Sequence, residues 1–156
     1  MTEPLKELIK RARARSEENE FILLAYGAAA YAKNQYKKAE QLFNQTEKYS
    51  TGIPELYLQR GDVRIELQKV KEALADYGKA IELDPQLHFA WHNRAYIYLE
   101  SERFDLAIKD FNRAIAINSN DPFYFSNRGL AYTAKRQFTK ALEDFKRGKV
   151  EVLVAT

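Results

Sequence analysis

Residues 88–121 read HFAWHNRAYIYLESERFDLAIKDFNRAIAINSND, and this stretch decides the fold. Apolar residues recur three and four apart on both sides of Ser101-Glu102-Arg103, the pattern of two helices joined by a short polar break. Sliding outward by 34 residues brings Ala107 onto Ala39, Ala73 and Ala141, and Phe111 onto Phe43, Tyr77 and Phe145. In the same register Ala95 falls on Gly27, Gly61 and Gly129, and Phe104 on Tyr36, Val70 and Phe138. Four uninterrupted units therefore begin at Glu20, Pro54, His88 and Pro122, and the other three break at Lys33-Asn34-Gln35, Leu67-Gln68-Lys69 and Lys135-Arg136-Gln137. Between units, Thr51-Gly52-Ile53-Pro54, Asp84-Pro85 and Asp121-Pro122 act as stop signals, where aspartate suits a cap and proline a first helical turn.

The small residues have a steric meaning. Where two helices of one hairpin cross closely, glycine or alanine on the first and alanine on the second admit the aromatic ring of a neighbour, so Gly61 is expected to face Ala73 beside Tyr77. The order Trp91, Ala95, Tyr98, Phe104, Ala107, Phe111, Ala114 resembles the tetratricopeptide repeat pattern, and the fourth unit repeats it with Phe125, Gly129, Tyr132, Phe138, Ala141 and Phe145. The resemblance covers residue 20 to about residue 150 and implies an all-α, right-handed superhelical solenoid of about four helix-turn-helix repeats. It implies repeats over 20–53, 54–87 and 88–121, a last repeat with its tail over 122–156, and a capping helix over 1–19. Departures stand at Ser119, where the family usually has proline, at Thr46 against Ala80, Ala114 and Gly148, and at Arg64 against Tyr98 and Tyr132.

Internal comparison adds a second expectation. Arg60, Arg94 and Arg128 are equivalent, and Asp76, Asp110 and Asp144 are equivalent 16 residues later, while the first unit has Tyr26 and Leu42 instead. Arginine and aspartate appear and disappear together, which predicts a charge pair joining the two helices of each hairpin rather than a phosphate-binding patch.

Composition narrows the function classes. The 156 residues include four prolines, six glycines and no cysteine, so long helices are favoured and disulfides, thiolate metal sites and a cysteine nucleophile are excluded. Lys6, Lys10, Arg11, Arg13 and Arg15 carry the excess charge, and from residue 16 onward 20 basic and 20 acidic side chains balance. A neutral body argues against nucleic-acid binding. The longest apolar runs fall far short of a membrane span, and no signal-like stretch follows Met1, so a cytoplasmic protein is expected. The stripe Leu5, Leu8, Ile9 and Ala12 is read as cover for the first repeat helix, apolar nearly all round from Phe21 to Tyr31, in preference to a membrane-surface helix. The apolar tail Val150, Val152, Leu153 and Val154 leaves three alternatives: it folds back, packs on another copy, or precedes further chain.

No catalytic or cofactor-binding motif is present, and no enzymatic activity is expected. His88 and His92 stand four apart on one helix, but a zinc site needs more ligands, and although Asp62 and Glu66 could approach, nothing in the spacing demands it; groove lining is the preferred reading and no metal is expected.

The resemblance places the first helix of each unit on a concave face. Its inward positions are then Phe21, Glu55, Phe89 and Phe123; Leu24, Leu58, His92 and Ser126; Ala25, Gln59, Asn93 and Asn127; and Ala28, Asp62, Tyr96 and Leu130. Candidate partner-binding residues are Leu58, Gln59, Phe89, His92, Asn93, Tyr96, Phe123, Ser126, Asn127 and Leu130. The row Gln59, Asn93, Asn127 resembles the asparagine ladders with which some family members hold an extended peptide by its backbone, and the same amides can equally bond to one another. The clamp that grips the carboxylate tail of heat-shock chaperones is not reproduced, because its positions hold Leu58, Asp62, Asn93, Phe123 and Asn127 and only Asn93 matches. The expected function is an adaptor that binds a protein or peptide segment in its groove; the alternative is a scaffold that homo-oligomerises through its apolar termini.

Overall fold

The computed structural model describes residues 20–154, with side chains described as far as Gly148. The expected capping helix and the side chains of the apolar tail lie outside the described residues. Helices α1 (Glu20–Ala32), α2 (Tyr36–Tyr49), α3 (Pro54–Glu66), α4 (Val70–Leu83), α5 (His88–Glu100), α6 (Phe104–Ile117), α7 (Pro122–Ala134) and α8 (Phe138–Val154) form four hairpins in series. Each helix packs on its immediate predecessor and successor, and the first helices α1, α3, α5 and α7 also touch one another in order. Contacts therefore run along the stack, as in a solenoid.

Every hairpin turns in the same way. Asn34, Gln68, Glu102 and Arg136 adopt the left-handed conformation, with φ of 58°, 59°, 58° and 59°. In the third unit Arg103 N–H donates to Tyr98 O at 2.7 Å and Glu102 N–H to Leu99 O at 3.0 Å, the paired bonds that close a helix C-terminus through one left-handed residue. A side chain in that conformation costs about 1–2 kcal/mol relative to the right-handed form, so each turn is imposed by the packing on either side of it. Between units the devices differ. Asp121 caps α7 by accepting from Phe123 N–H at 2.9 Å, and Pro122 occupies the first turn. Asp84 does not cap: its Oδ1 accepts from Gln86 N–H at 2.9 Å, closing the link before α5 starts at His88.

Close helix crossing explains the small residues. A methyl added at Gly61 would lie 2.6 Å from the Tyr77 ring, and one at Gly129 would lie 2.8 Å from the Phe145 ring. Ala95 holds the equivalent place in the third unit. Phe43, Tyr77 and Phe111 are buried against this seam with Ala39, Ala73 and Ala107, and Ala141 is buried on α8. Removing such rings from water supplies most of the driving force for stacking.

Charge pairs tie the same helices together. Arg94 Nε and Nη2 donate to Asp110 at 2.7 and 3.1 Å, and Arg128 Nε and Nη2 donate to Asp144 at 2.8 and 2.7 Å. In the second unit Arg60 binds Asp76 through Nε and Nη2 at 3.0 and 2.8 Å and also reaches Glu47 on α2 at 2.6 Å. Arg64, standing where later units have tyrosine, donates to Asp76 at 2.6 Å and to Glu40 at 3.3 Å. Arg60 and Arg64 thus bind the second hairpin to the first as well as to itself. The Arg60 hydrogen bond holds the Glu47 carboxyl below the usual carboxylate range, against desolvation.

Candidate functional site

The inner helices enclose a cavity of about 430 Å³ lined by Tyr31, Asp62, Ile65, Glu66, Tyr77, His92, Asn93, Tyr96, Ile97, Phe123 and Asn127. Apart from Tyr77 on α4, these residues come from α1, α3, α5 and α7, which makes the stacked first helices the concave wall.

Its floor is a connected chain of hydrogen bonds. Tyr77 Oη–H donates to Asp62 Oδ1 at 2.6 Å, and Asn93 Nδ2 donates to the same oxygen at 2.8 Å. With its amide nitrogen so committed, Asn93 offers Oδ1 to His92 Nδ1–H at 3.1 Å, and His92 Nε2 accepts from Asn127 Nδ2 at 3.0 Å. These roles require neutral His92 with its proton on Nδ1. Burial favours that form by pushing the imidazole pKa below its ordinary value. The ring is held further by stacking on Tyr124, with centroids 4.6 Å apart. Burial raises the Asp62 pKa, with the Tyr77 and Asn93 bonds opposing and the nearby Glu66 charge adding to the rise.

The helices that bound the cavity also carry exposed rings. Phe89, Tyr96 and Phe123 are 50%, 45% and 69% exposed, and Leu130 is exposed beside them in sequence register. The cavity brings together His92, Asn93, Tyr96 and Phe123 with Asn127. The remaining candidates lie elsewhere: Phe89 and Leu130 are exposed outside the cavity lining, Leu58 packs against the buried clusters, and Gln59 Oε1 is buried without a hydrogen-bond partner. Ser126 donates to Pro122 O at 3.0 Å, and a methyl at Gly148 on α8 would come within 2.6 Å of its oxygen, so it serves the hairpin interface.

The amides form no free ladder. Asn93 is engaged at both ends of its side chain, and His92, which the row pattern assigns to a neighbouring line, bridges it to Asn127. Sequence rows missed this bridge because they order residues along the solenoid and not across rows. They also missed Tyr31 and Ile97, since each row follows one position and the cavity spans the interval between units. His88 is engaged separately, its Nδ1 lying 2.6 Å from the Tyr124 hydroxyl. Among the described residues no group of three or more His, Cys, Asp and Glu side chains is placed to hold a metal ion. No described helix is long and apolar enough to cross a membrane.

Two family models match the sequence: Tetratricopeptide repeat over residues 88–121 and TPR repeat over residues 61–101. Residues 61–121 carry tetratricopeptide repeats. A curated relative is a Protein SGT1 homolog of Oryza sativa subsp. japonica, 40% identical over 63 residues, a stretch that takes in 40% of this chain and 17% of that protein. The chain therefore matches under a fifth of that relative's length. Among solved structures, MamA superposes with a TM-score of 0.85 at 20% identity, covering 94% of this chain and 85% of that one. YrrB, described as a TPR protein with an unusual peptide-binding site, superposes with a TM-score of 0.75 at 20% identity, covering 94% and 80%. Both likenesses establish the solenoid fold.

Proposed function

We propose that this chain is a protein-interaction module, an adaptor that binds a segment of another protein in its concave groove. The observation that carries the reading is the exposure of Phe89, Tyr96 and Phe123 on the helices that bound a preformed polar-floored cavity. Large rings left in water on a rigid concave face are anchors in search of apolar side chains, and binding energy concentrates at such residues. Because Asn93 already uses both ends of its amide, the partner is held chiefly through its side chains and less through its backbone.

A random dodecapeptide library displayed on phage and panned on the immobilised chain tests this. Enriched peptides are expected to lose about tenfold or more in affinity on Phe89→Ala with Phe123→Ala, both solvent-exposed changes that leave helicity intact by circular dichroism. Unchanged affinity in the double variant would move the binding site off the concave face.

A further inference from the structure

The cavity carries negative charge that nothing in it neutralises. Asp62 and Glu66 are its ionisable acids, four residues apart on one face of α3, and no lysine or arginine lines it. The arginines of the inner helices point elsewhere: Arg60, Arg94 and Arg128 are committed to Asp76, Asp110 and Asp144, and Arg64 to Asp76 and Glu40. The bonds Asp62 receives come from neutral donors, Tyr77 and Asn93, and both end on Oδ1. The rings of Tyr31, Tyr96 and Phe123 line the same cavity. Asp62 is part-buried and Glu66 exposed; carboxylates that share a concave space with aromatic rings are complementary to a cation that also presents a flat or greasy surface, since ring faces and carboxylates attract the same charge.

We propose that this cavity receives a basic side chain, arginine in preference to lysine, from the bound segment of a partner protein. A guanidinium can lie against a ring while donating in the plane to a carboxylate, which an ammonium cannot do. The proposal rests on the groove reading above and adds to it the chemistry of the partner: an otherwise apolar segment interrupted by one positive residue. Specificity then comes from charge and anchorage from the rings. Acidic segments are rejected, because they would bring a third negative charge to Asp62 and Glu66.

The same phage panning reads the proposal out as sequence. Peptides enriched on the full-length chain are expected to carry arginine or lysine at one position beside apolar residues. Replacing that position by citrulline in a synthetic copy should weaken binding about tenfold or more and remove most of its salt dependence. On Asp62→Asn with Glu66→Gln the basic position should lose its enrichment while the apolar residues keep theirs. Enrichment of purely apolar peptides on the unaltered chain, or equal binding of the arginine and citrulline peptides, would overturn the basic-side-chain assignment and leave the groove reading standing. Failure to enrich any peptide, on the unaltered chain and also after Lys10, Arg11, Arg13 and Arg15 are changed to glutamine, would overturn both. Enrichment that emerges only after Lys10, Arg11, Arg13 and Arg15 are changed to glutamine would make the occupant this chain's own basic segment and overturn its assignment to a partner.

Discussion

Arg60 makes more bonds than Arg94, yet Arg94 is predicted to be the costlier loss. The relevant quantity is what each substitution leaves behind. Asp110 has a side chain only 4% exposed, and among the described residues its side-chain bonds come from Arg94. Arg94→Met keeps the apolar stem and removes the charge, which strands a buried carboxylate, a loss of about 3–5 kcal/mol. Asp76 is equally buried, but Arg60→Met leaves it bonded to Arg64 at 2.6 Å. Glu47, the other acid that Arg60 releases, has a side chain 37% exposed and regains water. The cost of Arg60→Met is therefore nearer that of lost charge-assisted hydrogen bonds alone, about 1.5–3 kcal/mol. Urea denaturation followed by circular dichroism gives both values from the shift in midpoint. Adding Asp110→Leu to Arg94→Met should restore most of the stability, because an apolar pair can replace a buried ion pair at little cost. An Arg60→Met cost as large as that of Arg94→Met, or a double variant no more stable than Arg94→Met alone, would mean that Asp110 is not stranded as a buried charge.

Glu102→Gly should stabilise the protein by about 1 kcal/mol by relieving the left-handed turn, seen as a higher melting temperature; an unchanged or lower value would mean the turn carries no strain. Ala107→Leu should destabilise by about 1–3 kcal/mol, since Ala107 is fully buried where α5 and α6 cross beside Phe111, and a wild-type denaturation midpoint would contradict that packing. Stability should also depend on His92. Its folded pKa lies below the unfolded value near 6.5, so as pH falls through that value the unfolded chain takes up a proton that the folded chain refuses, and stability drops until the folded pKa is passed. His92→Gln should flatten the pH dependence below about pH 7, with the opposite contribution of Asp62, whose folded pKa is raised, present in both proteins; parallel profiles would mean that His92 does not titrate differently on folding.

The fold was legible because one interval of 34 residues repeats without a break and every repeat must solve the same packing problem. Ala107 and Phe111 announce the seam by size, and Arg94 and Asp110 announce their pairing by occurring together. The turn conformation was not legible, since Gln68, Glu102 and Arg136 are residues that seldom adopt positive φ and no glycine marks the place. The rows of the groove could be written from the repeat, but the bonds that cross them could not. Repeat register states which residues share a position in successive units, whereas Asp62, His92 and Asn93 meet because the second and third units stack at a particular height and angle. Asp84 illustrates the same limit: its sequence context matches that of Asp121, and only the longer link to His88 turns a cap into a turn.

The claim that the concave face is where a partner binds is tested most directly by backbone amide NMR of the isotope-labelled chain during titration with a panned dodecapeptide. Shifts are expected to concentrate on α3, α5 and α7 at Asp62, Asn93, Tyr96, Phe123 and Asn127, with α4 and α6 quiet apart from Tyr77. Shifts confined to the outer helices α2, α4, α6 and α8 would contradict it.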